Sequence, residues 1–377
     1  MKTTLGWVPI LIVLLFIGQV SMYSQQSEIS IQKAILLEKE GKLLDAEATW
    51  YAITKRTPQD AAAWGQLGLV RSQQGKYVAA ISAYKQALRL NPDLPGASLD
   101  LGLAYFIQQQ FDKAVTPLRT AVAAAPDELQ PNLLLGMTLY GLNYYGEAAT
   151  YLQMAVNSAP HNVQLRTTLA QDCLWASRYD CVLRQYAEIL LDAPNSAGAD
   201  ILAGEAYDGL NDPDHAIAQF RAAERIAPDD PNVHFGLGYL LWKQYNYDAA
   251  AAEFNLELKS NPLTARALAY LGDIAIKQND TKIAEIYLRR ATASPDKTRI
   301  AYYDLGTLYA AAGKNTLALT EFQHAITLAP DQVDAHYQLA RLYRTMGKPS
   351  QANSELALVK KLHKAKDERL FPYITKP

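Results

Sequence analysis

Apolar positions along most of this chain fall into a repeating double beat. A run at helical spacing is followed by a polar break, often Gly or Asn as at Gly75, Asn143, Asn211 and Gly313. A second helical run then ends at a proline. The prolines set the period. Pro58, Pro92, Pro126, Pro160, Pro194, Pro228 and Pro262 stand 34 residues apart, and Pro295 and Pro330 continue the series with a one-residue slip. With each proline at position 32, units begin at 27, 61, 95, 129, 163, 197, 231, 265, 299 and 333, and the last ends at 366 without an insertion.

The columns carry the packing argument. Position 8 is small in every unit: Ala34, Gly68, Gly102, Gly136, Ala170, Gly204, Gly238, Gly272, Gly306 and Ala340. Position 20 is Ala in all units except the fifth, which has Val182. Position 24 is always large and apolar, from Trp50 and Tyr84 to Phe322 and Leu356. Each unit therefore reads as two amphipathic helices joined by a tight turn. Small residues at 8 and 20 let the backbones approach, and a large residue at 24 fills the space beside them. The proline stops the second helix, because it lacks an N–H and clashes with the preceding turn.

Trp64, Leu67, Gly68, Tyr77, Ala80, Tyr84, Ala87 and Pro92 in the second unit resemble the tetratricopeptide repeat family, and the resemblance extends over residues 27–366. It implies an all-α fold, a right-handed superhelical α-solenoid of about ten antiparallel helix-turn-helix repeats. Only Trp64 matches the family's tryptophan at position 4, so that column is degenerate. The fifth unit departs most, with Ala170, Cys173 and Val182. Polar substitutions mark the ends: Lys33 replaces a core Leu, and Lys360, Lys361 and Lys364 line the last helix, as terminal repeats require. Residues 367–377 read as a tail.

The N-terminus breaks the pattern. Lys2 precedes an apolar run from Val8 to Val20, the length of a signal-peptide core and short for a spanning helix. A suitable cleavage site is hard to place. Residues 1–24 therefore read as a cleaved export signal or as an uncleaved anchor that would tether the chain to a membrane. Either places the repeats outside the cytoplasm, periplasmic or secreted. Export permits a disulfide between Cys173 and Cys181, but the preferred reading is two small buried hydrophobes, since sequence does not establish the Cα separation a disulfide requires.

Composition narrows the partners. The formal net charge of −2 gives no basic surplus with which to track phosphates, so nucleic acid is not the expected partner. No catalytic, cofactor or metal motif is present. The six histidines scatter through the repeat register, there is no Gly-rich phosphate loop or nucleophile elbow, and Asp229–Asp230 sits where helix-starting acids belong. An enzyme is not expected.

What remains is a binding surface. The family resemblance implies that first helices line a concave face, presented by positions 2, 5, 6, 9, 12 and 13. Carried over, these are Leu99, Leu103, Phe106, Leu133, Met137 and Tyr140 in units three and four, and Trp175 in unit five. Unit six contributes Glu205 and Asp208, with Asp200 beside them. Phe235, Tyr239 and Trp242 follow in unit seven, and Arg341 and Arg344 in unit ten. Apolar and aromatic patches of this kind anchor protein or peptide partners. The Lys/Asn clamp that some members use for a C-terminal carboxylate is absent: Ile31, Ile35, Gly65 and Leu69 occupy its places.

Overall fold

Each hairpin is built around one close approach. In the seven hairpins with glycine at position 8, the ring or isobutyl group at position 24 lies directly on the missing side chain of that glycine. A Cβ on Gly238 would stand 2.7 Å from the Phe254 ring, and one on Gly136 would stand 2.8 Å from Leu152. Phe254 and Leu152 are fully buried. The glycine is what lets a large residue sit between two helices without parting them. The expected crossing is thus more specific than two backbones meeting: a side chain fills the notch.

The structure is a computed structural model that describes residues 28–370, with side chains to residue 364. The apolar N-terminal segment 1–24 lies outside the described residues. The expected tail does so from residue 371, while the backbone of the last helix continues to Leu370. Among the described residues every regular element is a helix and no strand occurs.

Two compact units divide at residue 192. The N-terminal unit contains α1 (28–39), α2 (Leu43–Arg56), α3 (Ala61–Gln73), α4 (Tyr77–Leu90), α5 (Ala97–Ile107), α6 (Phe111–Ala124), α7 (Leu129–Gly141), α8 (Tyr145–Ser158), α9 (Val163–Trp175) and α10 (Tyr179–Asp192). The C-terminal unit contains α11 (Ala197–Gly209), α12 (Pro213–Ile226), α13 (Pro231–Lys243), α14 (Tyr247–Ser260), α15 (Ala265–Lys277), α16 (Thr281–Ala293), α17 (Arg299–Ala311), α18 (Asn315–Leu328), α19 (Val333–Thr345) and α20 (Pro349–Leu370). Odd-numbered helices are first helices and even-numbered ones are second helices. From α3 onward each packs on its hairpin partner, and within each unit every second helix also packs on the first helix of the following hairpin. Second helices end one or two residues before the position-32 proline, as at Leu90 before Pro92 and Ala124 before Pro126. Asp60, Asn162, Asp230 and Asp280 cap the helices that follow them. The fifth helix is the exception at its start: it begins at Ala97, after Gly96 in a left-handed conformation at φ 75°.

The intra-hairpin turn is uniform although its residues are not. Position 15 has positive φ in every unit: Gly41, Gly75, Gln109, Asn143, Ser177, Asn211, Tyr245, Asn279, Gly313 and Gly347. Gly and Asn accept this conformation readily. Gln109, Ser177 and Tyr245 do not signal it, and the packing of the two helices imposes it on them.

The degenerate position 4 also has a common task. Its side chain donates to the carbonyl of the preceding unit's position-32 proline: Trp64 to Pro58, Asn132 to Pro126, Arg166 to Pro160, His234 to Pro228 and His336 to Pro330, at 2.7–3.1 Å. The indole is one of several groups that supply this N–H in five units, and Leu268 in the same column has no donor to offer.

The fifth hairpin holds the clearest correction. Cys173 and Cys181 are joined by a disulfide, not left as two free buried thiols. They stand at positions 11 and 19, on facing helices, with Cα atoms 5.9 Å apart, inside the range a disulfide spans. Beside them Asp172 occupies a column that is elsewhere mostly apolar. It is fully buried and neither carboxylate oxygen accepts a hydrogen bond. Burial pushes its carboxyl up to about 7, and the Arg178 charge and the Ala149 backbone offset this only in part. A raised folded-state value means the native state holds a proton the unfolded chain releases. Its stabilising effect is full below about pH 4 and is lost as pH rises through about 7. Asp172→Asn should match the wild type at pH 4 and exceed it by about 2 kcal/mol at pH 8 in urea titrations. Equal stability at both pH values would show that the carboxylate is solvated.

Candidate functional site

The first helices of each unit present the sequence-predicted residues in two different arrangements. In the N-terminal unit, Leu99, Leu103, Phe106 and Tyr140 are half-buried and pack against the core between α4 and α8, and Leu133 is half-buried too. Met137 and Trp175 are exposed, the latter 58 %. Phe106 rests on Phe111, Tyr140 on Tyr145, and Trp175 stacks over Tyr145 at 6.1 Å. These rings keep one edge in the hairpin and one toward solvent. The structure brings Tyr140 and Trp175 together through Tyr145, which the sequence reading omitted because it starts a second helix.

In the C-terminal unit the face is more concentrated. Phe235, Tyr239 and Trp242 on α13 gather round Tyr270 on α15. The ring centroids of Phe235, Tyr239 and Trp242 lie 5.9, 5.8 and 5.0 Å from that of Tyr270, each roughly edge-on to it. Phe254 stacks on the other side of Tyr270. Burial pushes the Tyr270 phenol up to about 12, with Tyr239 and Asp273 adding to the rise. Trp242 Nε1 donates to Asp273 Oδ2 at 2.7 Å.

Charges flank this aromatic group. On α11, Asp208 pairs with Lys243, whose ammonium lies over the Tyr239 ring and is held above its ordinary range chiefly by that hydrogen bond. Glu205 is exposed, and the walls of the face raise its carboxyl against the pull of Arg266. Arg266 lies over Phe235 at 4.2 Å. On α17, Arg299 makes a two-toothed pair with Asp334 at 2.9 Å on each oxygen and lies over Tyr303. Asp304 has no hydrogen bond or ion pair among the described residues. Burial, then repulsion from Asp273, pushes it up to about 7.

Tyr270, Asp273 and Asp304 belong to this site and were missed from sequence. They stand at positions 6 and 9 of units eight and nine, so extending the face columns through those two units would have found them. Asp200, placed beside the face from sequence, is instead buried, 4 % exposed, at position 4 of its hairpin. Arg341 and Arg344 are exposed on α19. Arg341 lines a cavity of about 250 Å³ with Thr307 and Gln338, whereas Arg344 does not.

Two other features lie away from this face. A cavity of about 950 Å³ opens between the second helices α8 and α10, lined by Gln153, Asn157, Arg166, Arg178 and Arg184. None of the predicted residues lines it. Glu224, His234 and Glu253 bring ligand-type atoms within 4.8 Å of one another. The Arg221 guanidinium already bonds both carboxylates, and His234 Nδ1 pairs with Glu253 at 3.0 Å. That cluster is a network within the hairpin stack, with its cation supplied by the chain.

Comparison with known proteins agrees with this architecture. A model described as TPR repeat matches residues 68–109 and 306–347, and one described as tetratricopeptide repeat matches 99–163, 201–262 and 235–298. Anaphase-promoting complex subunit 3 of Schizosaccharomyces pombe is 24% identical over 159 residues, covering 42% of this chain and 24% of that protein. The match thus spans about a quarter of the relative's length. The crystal structure of the APC/C hetero-tetramer Cut9-Hcn1 matches with a TM-score of 0.53 at 14% identity, covering 90% of this chain and 81% of that one. YrrB, described as a TPR protein with an unusual peptide-binding site, matches at 20% identity with a TM-score of 0.37, over 47% of this chain and 91% of that one.

Proposed function

The chain belongs to the tetratricopeptide repeat family, and on that premise we propose that it is a non-catalytic scaffold, exported from the cytoplasm, that binds a protein or peptide partner on its first-helix face. The observation that carries this reading is the contrast between columns. Positions 8, 20 and 24 are nearly uniform because packing needs them, while positions 5, 9 and 12 of the first helices change from apolar to acidic to aromatic to basic. Half-buried rings such as Phe106 and Trp242 are already ordered by the fold, so a partner that covers them loses little side-chain entropy. The buried disulfide supports export, since such bonds persist in oxidising compartments. The relative from Schizosaccharomyces pombe carries the name of a complex subunit, which accords with an interaction role.

Partner capture from envelope extract tests this. Wild type should retain proteins that a Phe106→Glu, Trp242→Glu variant of unchanged helicity loses by at least tenfold. Identical partner sets would remove the first-helix face as the binding site.

A second reading is a structural subunit tethered to the membrane by residues 1–24, bridging parts of an envelope assembly. The apolar run Val8 to Val20 favours it. No helix among the described residues is long and apolar enough to cross a membrane, and that run lies outside them. N-terminal sequencing of the mature chain separates the two: a start near Gln25 removes the tether.

A further inference from the structure

The C-terminal unit contains two internal sites of one kind. In each, a guanidinium lies over an aromatic ring with a carboxylate close enough to act on it electrostatically. Arg299 lies over Tyr303 and is gripped by Asp334. Arg266 lies over Phe235 within the field of Glu205. Between them stands a third set of rings and acids that lacks its guanidinium. Trp242 and Tyr270 form the aromatic wall, their centroids 5.0 Å apart. Asp273, fixed by Trp242, and Asp304 form the acidic floor. Lysines complete the set only in part. Lys243 is held by Asp208, and Lys277 reaches Asp273 only at 3.8 Å.

We propose that this place seats an arginine side chain from an extended segment of a partner protein, its plane stacked on Trp242 beside Tyr270 and its donors on Asp304 and Asp273. The inference rests on the first-helix face being the binding surface. A guanidinium fits better than an ammonium because its flat faces stack on rings while its edge makes paired hydrogen bonds to carboxylates. Charge complementarity selects the occupant: Asp304, at position 6 of the next first helix, has no hydrogen bond or ion pair among the described residues.

Asp304 also makes the binding report on pH. Asp273 and Lys277 face it from α15, Arg299 shares its own helix, and Asp334 faces it from α19. In the free protein its carboxyl is pushed up to about 7. A seated guanidinium favours the ionised form, so binding releases a proton below that pH and tightens as pH rises.

The test uses the full chain and three fluorescein-labelled Gly-Ser peptides, each carrying two arginines, two lysines or two glutamates. Fluorescence anisotropy at low salt should show the arginine peptide binding at least several-fold tighter than the lysine peptide, and the glutamate peptide not binding. Affinity should rise about tenfold between pH 6 and pH 8. Asp304→Asn should weaken binding at pH 8 at least tenfold and flatten the pH profile, and Trp242→Ala should weaken it comparably. Circular dichroism should show both variants folded. Asn at 304 retains the shape while removing a charge the fold disfavours. Equal affinity for arginine and lysine, a response unchanged by Asp304→Asn, or preference for the glutamate peptide would each overturn the inference. None of these would touch the broader reading, which falls only if partner capture is indifferent to Phe106→Glu and Trp242→Glu.

Discussion

Gly236→Leu should destabilise the C-terminal unit by about 3 kcal/mol, lowering its melting temperature by about 10 °C. A side chain at position 236 on α13 would point into the ring of Phe220, the position-24 residue of the preceding hairpin. Its Cβ would lie 2.5 Å from the ring's Cζ and closer still to a neighbouring carbon. The ring has no room to retreat. Its other face rests on Gly204, where a Cβ would stand 2.7 Å away, and Phe220 is 3 % exposed. Phe220 is thus held between two glycines, one from its own hairpin and one from the next, and a side chain at 236 pushes the hairpins apart. Gly198→Ala is the control. It also lies on a first helix, α11, but nothing approaches within 4 Å of its Cβ, so the change should be neutral or stabilise by up to about 1 kcal/mol. Combining Gly236→Leu with Phe220→Ala should recover part of the Gly236→Leu loss, because the two residues share one space. Differential scanning calorimetry on the four proteins decides the matter. A Gly236→Leu protein that melts with the wild type would mean that Phe220 has another place to go.

Removing the Cys173–Cys181 link should cost the N-terminal unit about 2.5 kcal/mol. That figure is what a loop of this short separation, 8 residues, contributes by restricting the unfolded chain. Both cysteines are buried, at 0 % and 4 % exposure, so a double alanine variant also loses a little packing. The two effects separate by reagent. Reduction with dithiothreitol under denaturing conditions, followed by refolding with the thiols blocked, should lower the urea midpoint nearly as much as the double substitution. Reductant applied to the native protein should act slowly, because neither sulfur is open to solvent. Two titratable thiols in protein purified from its own compartment would show that the link is not formed there.

Both effects turn on what stands across a helix pair. The glycine at position 8 was legible from sequence as a small residue required in every copy, and Gly102 or Gly238 is readable that way in any alignment of the ten units. Gly236 was not. Its column contains Gln66, Leu134, Tyr270 and Asp304 as well, and nothing in it announces that one member must be bare. The need arises from the residue in the neighbouring hairpin, Phe220, and a single column cannot contain it. Position 4 shows the converse. Trp64, Asn132, Arg166 and His234 look unrelated, yet each sends an N–H to the proline carbonyl six residues before it. Indole, amide, guanidinium and imidazole are interchangeable there because each is a donor of sufficient reach.

The candidate site divides along the same line. Phe235, Tyr239 and Trp242 were visible as an aromatic run on one helix face, since helical spacing alone puts them on one side. Tyr270, Asp273 and Asp304 come from two other helices, and only the stacking of α13, α15 and α17 makes them one surface. The disulfide is a third case: two cysteines eight residues apart in chain can meet or miss across a turn, and the 5.9 Å between their Cα atoms is set by how the helices pack.

By itself the sequence determined the period, the helical pairs, the stops at proline and the small-against-large packing inside each hairpin, because those depend on neighbours within one 34-residue unit. Only the tertiary structure decided which side chains meet between hairpins and which acids are left without a partner. Those contacts join residues of different units, and the repeat pattern, being the same in every unit, does not encode the differences between them.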